Sequence, residues 1–173
     1  MNAMQKKYEN AIKFYIMVIE LAKENNDQKN LVIALTELAG VHLREKNYSK
    51  AIHNLYDALR ITPSDQIHYI LGHAYYRINE TDSAYYYLNK AINAESIYTI
   101  RSAYQILCNL SKKTGDYKKN AEYTVKLWKI NDSINKIDRN KALIEMQEKY
   151  DQQRVKDEMT AKMTLQKQRI LMG

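Results

Sequence analysis

The chain has 173 residues, 27 Lys or Arg against 20 Asp or Glu, 45% hydrophobic residues and a formal net charge of +7. One cysteine excludes an intramolecular disulfide or a multi-cysteine metal site, and four Gly with one Pro are too few for a turn-rich β protein or a glycine-rich phosphate loop. Basic charge invites a nucleic-acid reading, but Lys and Arg alternate with Asp and Glu along nearly every helical stretch, which describes solvated faces and argues against a nucleic-acid interface.

In chain order, a first amphipathic helix is predicted over residues 5–24, stopping at Asn25-Asn26-Asp27, whose side chains compete for backbone bonds. Lys13 and Glu20 interrupt its apolar run, so it does not read as a signal peptide, and no run is long enough to span a bilayer. A second helix is predicted over residues 29–45, and a third from about Ser49 to just before Pro63. Ser64, Thr81, Ser96 and Asp116 stand where each could cap a further helix, and Gly115 after Lys112-Lys113-Thr114 reads as a left-handed helix stop. Asp132 or Ser133 is placed to cap a last helix running to about residue 170. Its stripe of Ile134, Ile137, Leu143, Ile144, Met146 and Tyr150 thins to Val155, Met159 and Met163. The chain closes on a basic patch, Lys167 and Arg169, followed by an abrupt apolar start, as though a hydrophobic segment had been cut away.

One apolar pattern recurs along these helices. Leu38-Ala39, Tyr48, Ala51, Leu55 and Ala58 return 33 positions on as Leu71-Gly72, Thr81, Ala84, Leu88 and Ala91. A third copy, 36 positions further, reads Leu107-Cys108, Tyr117, Asn120, Thr124 and Leu127, and a leading half-copy holds Tyr8, Ala11, Tyr15 and Val18. Repeats of this period imply stacked supersecondary units, none able to bury its apolar face alone. Small residues at Ala39, Gly72, Cys108, Ala51, Ala84, Ala58 and Ala91 are where helix axes would approach closely. Cys108 thereby reads as a packing residue. Fifteen Tyr against one Phe and one Trp suit half-buried positions between stacked helices or along a wet groove. The fold class that follows is all-α: a superhelical array of antiparallel helix pairs over residues 1–132, with a long capping or connector helix over 133–173.

The repeats resemble the tetratricopeptide repeat. Leu71-Gly72, Tyr75, Ala84, Leu88 and Ala91 match that family's pattern in the middle copy. Leu38-Ala39, Tyr48, Ala51, Ala58 and Pro63 match in the first, and Gly115-Asp116-Tyr117 in the third, where Asn120 and Leu127 depart from the alanines. The resemblance implies a right-handed superhelix and a protein or peptide partner. The Lys, Asn and Arg set with which chaperone adaptors of the family grip a terminal carboxylate is replaced here by Thr36, Gly40, Ile70, Ser102 and Ile106, so that role is not implied. A looser resemblance over residues 128–160, carried by Trp128 to Ser133 and Lys141 to Tyr150, is to the segment closing the repeat arrays of bacterial membrane-anchored regulators. It implies a sensor fragment on the extracytoplasmic side of the inner membrane, anchored only through sequence beyond residue 173. Lys167 and Arg169 sit badly with that side. Without such an anchor the expected location is cytoplasmic.

First helices of stacked pairs line the concave face of such arrays. Tyr69, His73 and Tyr76 share one face at i, i+4 and i+7, with Arg77 beside them. The corresponding face of the next first helix offers Gln105, Asn109, Lys112 and Lys113, and that of the preceding one Arg44. This aromatic and basic set suits a peptide with acidic and apolar side chains; the competing reading is that the tyrosines pack between repeats. No catalytic set, cofactor site or metal site is expected, since His42, His53, His68 and His73 form no i, i+4 pair and have no adjacent acidic cluster. Two further readings stand beside the sensor segment: a soluble scaffold that forms a homodimer through its C-terminal helix, and an RNA-binding helical repeat.

Overall fold

The computed structural model describes residues 3–171, with side chains for residues 5–163 and 166. Among the described residues the regular structure is helical. In chain order the helices are α1 (Ala3–Glu24), α2 (Gln28–Arg44), α3 (Tyr48–Ile61), α4 (Asp65–Arg77), α5 (Thr81–Ala91), α6 (Ile97–Thr114) and α7 (Tyr117–Leu171). The chain divides into two compact units, residues 1–130 and 131–173. The side chains of residues 167–171, and all of 172 and 173, lie outside the described residues, and with them the basic-then-apolar ending.

In the first unit short links join helices that pack in chain order, each reversing on the last. Four helix ends share one turn. Asn26, Lys46, Asn79 and Gly115 each take a left-handed φ, between 53° and 74°. The next residue's N–H then reaches back five residues: Asp27 to Ala22 O (2.8 Å), Asn47 to His42 O (2.8 Å), Glu80 to Tyr75 O (3.0 Å) and Asp116 to Ser111 O (2.9 Å). This closure satisfies carbonyls that a helix end otherwise leaves open. Glycine occupies that conformation at one of the four turns, so the other three were not visible as left-handed stops.

The caps follow the expected chemistry at three sites. Ser64 accepts from the Ile67 N–H (3.2 Å), Ser96 from Thr99 (3.4 Å) and Asp116 from Lys119 (3.0 Å). Two expectations need correction. Thr81 is the first residue of α5 and Glu80 stands at the cap position, without a side-chain bond. No helix begins at Asp132 or Ser133, because α7 is continuous from Tyr117 to Leu171. The Asp132 carboxylate instead pairs with Lys136 one turn along (2.8 Å), an arrangement that supports a helix from within.

The repeat alanines are what bring the helices together. Ala39, Ala51, Ala58, Ala84 and Ala91 are fully buried, as are Leu55, Leu71, Leu88 and Leu107. Gly72 marks the tightest approach: a Cβ there would lie 2.6 Å from Leu88 Cγ and 3.0 Å from the Leu88 backbone nitrogen. Two core clusters result, one around Leu38, Leu55 and Leu71, the other around Leu88, Leu107 and Leu110, and Tyr75 packs against both. Between α3, α4 and α5 the Tyr56 hydroxyl lies 2.8 Å from that of Tyr75 and 2.9 Å from that of Tyr87, so one phenol links three helices. Asn120, where the pattern has alanine, donates to Cys108 O (2.7 Å) and lies 3.3 Å from Ser111 Oγ. It thereby fastens the start of α7 to α6 with polar contacts. Cys108 is buried and unpaired.

In the second unit the described part of α7 exposes Ile137, Leu143, Ile144, Met146, Tyr150, Val155, Met159 and Met163. Hydrogen bonds one turn apart, Gln147 to Asp151 (3.2 Å) and Gln153 to Asp157 (2.8 Å), run along its surface. No helix among the described residues is long and apolar enough to cross a membrane.

Candidate functional site

α4 and α6, the first helices of successive pairs, lie side by side and enclose a cleft of about 320 Å³ lined by Tyr69, His73, Arg101, Ser102, Gln105 and Ile106. Tyr69 and His73, one turn apart, stack with ring centroids 6.3 Å apart. Burial, and secondarily the Arg77 charge, hold the His73 imidazole below the usual histidine range, so it is a neutral ring at neutral pH. Across the cleft Arg101 sets its guanidinium 5.5 Å from the Tyr98 ring, and Ser102 donates to Tyr98 O (2.8 Å). Gln105 is exposed at the cleft wall. The cleft thus offers an aromatic floor, one fixed cation and amide and imidazole hydrogen-bonding groups.

Of the residues singled out in the sequence, Tyr69, His73 and Gln105 come together here. Tyr76 packs with Tyr69 against the second core cluster. Arg77 turns towards α3, its guanidinium 5.7 Å from the Tyr48 ring. Lys113 donates to Asn79 Oδ1 at the α4–α5 turn. Arg44, Asn109 and Lys112 are exposed and do not line the cleft. Arg101, Ser102 and Ile106 line the cleft and were not among the groove residues expected from the sequence. Counting one repeat forward from Tyr69 and His73 gave Gln105 and Asn109, whereas the lateral neighbours of that pair lie up to one turn earlier on α6. Arg101, four residues before Gln105, was the available signal.

The histidines take isolated carboxylate neighbours. His42 Nδ1 lies 3.4 Å from Glu45, His53 Nε2 3.5 Å from Asp57 and His68 Nδ1 3.8 Å from Asp65. Among the described residues no group of three or more His, Cys, Asp or Glu is placed to hold a metal ion. Burial lowers the affinity of His42 and His68 for a proton, and His68 stacks on Tyr87.

The chain is 32% identical over 130 residues to a TPR repeat-containing protein of Methanocaldococcus jannaschii; the match covers 74% of this chain and 21% of that one, so the chain spans about a fifth of that relative's length. No protein-family model matches it. Among solved structures it resembles MamA (25% identity, TM-score 0.61, 75% of each chain) and MamA from Desulfovibrio magneticus RS-1 (22%, 0.62, 76% of this chain and 70% of that one). It also resembles BtubC from P. vanneervenii (16% identity, TM-score 0.67), over 75% of this chain and 59% of that one. The shared architecture is an array of helical repeats. With the recurrent Leu-Gly/Ala and Ala positions buried at the helix crossings, the chain is a tetratricopeptide-repeat protein.

Proposed function

We propose that the first unit captures an extended peptide or protein segment bearing acidic and apolar side chains, through the cleft between α4 and α6. The observation that carries this is the cleft itself: stacked Tyr69 and His73 facing Arg101 and Gln105. In this reading the chain is the non-catalytic sensor or scaffold segment of a larger bacterial signalling or transcription-regulating protein, residues 1–132 binding and residues 133–173 capping or connecting. A second reading, a soluble scaffold dimerised through its C-terminal helix, draws on the exposed Ile137, Ile144, Val155, Met159 and Met163.

The test is a peptide array graded in acidic and aromatic content, probed with the full chain and followed by titration of the best peptide. Arg101→Glu is expected to weaken that peptide by about tenfold, while Lys23→Glu on α1 leaves it within about twofold. Equal losses from both variants, or none from Arg101→Glu, would refute the cleft as the binding surface. A gel shift with single-stranded RNA that appears at low salt and responds to Arg101→Glu would favour the nucleic-acid reading instead.

A further inference from the structure

α1 repeats the second-helix pattern of α3 and α5, but its surroundings differ. α3 packs against α2 and α4, and α5 against α4 and α6, whereas among the described residues α1 packs against α2. Its buried side carries Ile19 and Ala22. Its opposite side is also apolar: Phe14, Met17 and Leu21 are 60%, 68% and 59% exposed. These three, with Val18, Glu20 and Glu24, line a groove of about 420 Å³. A helix apolar on two sides is built for two neighbours.

The spacing and charges of this face identify the second neighbour. Asn10, Phe14, Met17 and Leu21 advance by four, three and four residues, the seam of a helix that pairs with another helix. Along one flank of that seam Lys6, Lys13 and Glu20 follow at intervals of seven, and Glu24, seven residues after Met17, closes the seam itself. The flank is therefore basic in its N-terminal half and acidic in its C-terminal half. When two copies of such a helix meet antiparallel, like flanks face each other. Phe14 then meets Leu21 of the second copy, the two Met17 side chains lie beside the two-fold axis, and Lys13 stands against Glu20 in both directions. A parallel pair would instead set the basic halves together and the acidic halves together.

From this self-complementarity we propose that α1 is a homodimerisation surface, its Phe14, Met17 and Leu21 face covered by the same face of a second copy, antiparallel about a two-fold axis. Each contact occurs twice, as an isologous interface requires. Three anchors per copy make a small interface, so the dimer is concentration-dependent. It is independent of the α4–α6 cleft and of the C-terminal helix.

Sedimentation equilibrium of the full chain over a range of concentrations tests it. A monomer–dimer equilibrium is expected, with Met17→Glu weakening association at least about tenfold. Glu20→Lys alone, which sets Lys against Lys13, is expected to weaken it by about three- to tenfold, and adding Lys13→Glu to restore it to within about twofold of wild type. These side chains are exposed, so far-UV circular dichroism of every variant should match wild type. In a Cys108→Ser background, Phe14→Cys should cross-link to Leu21→Cys in a mixture of the two variants and not to itself. A chain monomeric up to concentrations on the order of 1 mM overturns the proposal. So does a dimer indifferent to Met17→Glu, or a charge-swapped double variant weaker than Glu20→Lys alone.

Discussion

Adding one methyl group at Gly72 and one at Gly40 should have opposite signs, although both glycines lie inside first helices. Alanine gains about 0.5–1 kcal/mol over glycine in a helix interior by restricting the unfolded chain. At Gly40 nothing lies within 4 Å of the added Cβ, so Gly40→Ala should stabilise by about that amount. At Gly72 the Cβ would stand 2.6 and 2.9 Å from side-chain carbons of Leu88 and 3.0 Å from its backbone nitrogen. Leu88 is fully buried, and a rotamer change cannot relieve the backbone contact, so α4 and α5 must separate. Overpacking of this kind costs about 1–3 kcal/mol, leaving Gly72→Ala a net loss of about 1 kcal/mol and a gap of roughly 2 kcal/mol between the variants. Urea unfolding followed by far-UV circular dichroism reads both from the midpoints, provided the slopes stay equal. If Gly72→Ala moved the midpoint upward as Gly40→Ala does, the close approach of α4 to α5 would not be limiting and the packing argument would fail.

Three further outcomes follow from the fold. Tyr56→Phe removes the hydroxyl shared by Tyr75 and Tyr87 and should cost about 1–2 kcal/mol in thermal or urea unfolding. Burial first, and the Tyr56 hydrogen bond second, raise both phenols above the ordinary value of 10.0, so the folded chain keeps protons that the unfolded chain has lost. Their contribution is complete below pH 10 and declines as pH rises past it, a decline that Tyr56→Phe should make shallower in a pH series of unfolding curves. Lys46 holds a left-handed φ of 62° in a turn that elsewhere uses Asn or Gly; Lys46→Gly should raise the unfolding midpoint by the equivalent of about 1 kcal/mol, and a lower midpoint would refute the strain.

Periodicity alone determined the helical array. Leu-Gly or Leu-Ala followed by paired alanines at a spacing of 33 cannot bury its apolar faces except by stacking, and Ala51 and Ala84 are accordingly sealed from solvent. Ser64, Ser96, Asp116 and Gly115 were legible because a cap is a local contest between one side chain and nearby backbone groups. Tertiary structure alone decided what depends on lateral neighbours. It set Arg101 rather than Asn109 beside Tyr69 and His73, drew Arg77 to Tyr48 and Lys113 to Asn79, and gathered Tyr56, Tyr75 and Tyr87 at one hydroxyl. It also carried α7 through Asp132, where a good capping residue serves a helix better by pairing with Lys136 than by starting anew. A repeat records which positions are equivalent along the chain. Which of them touch across it depends on stagger and rotation between helices, and those are set by packing volume that no single helix contains.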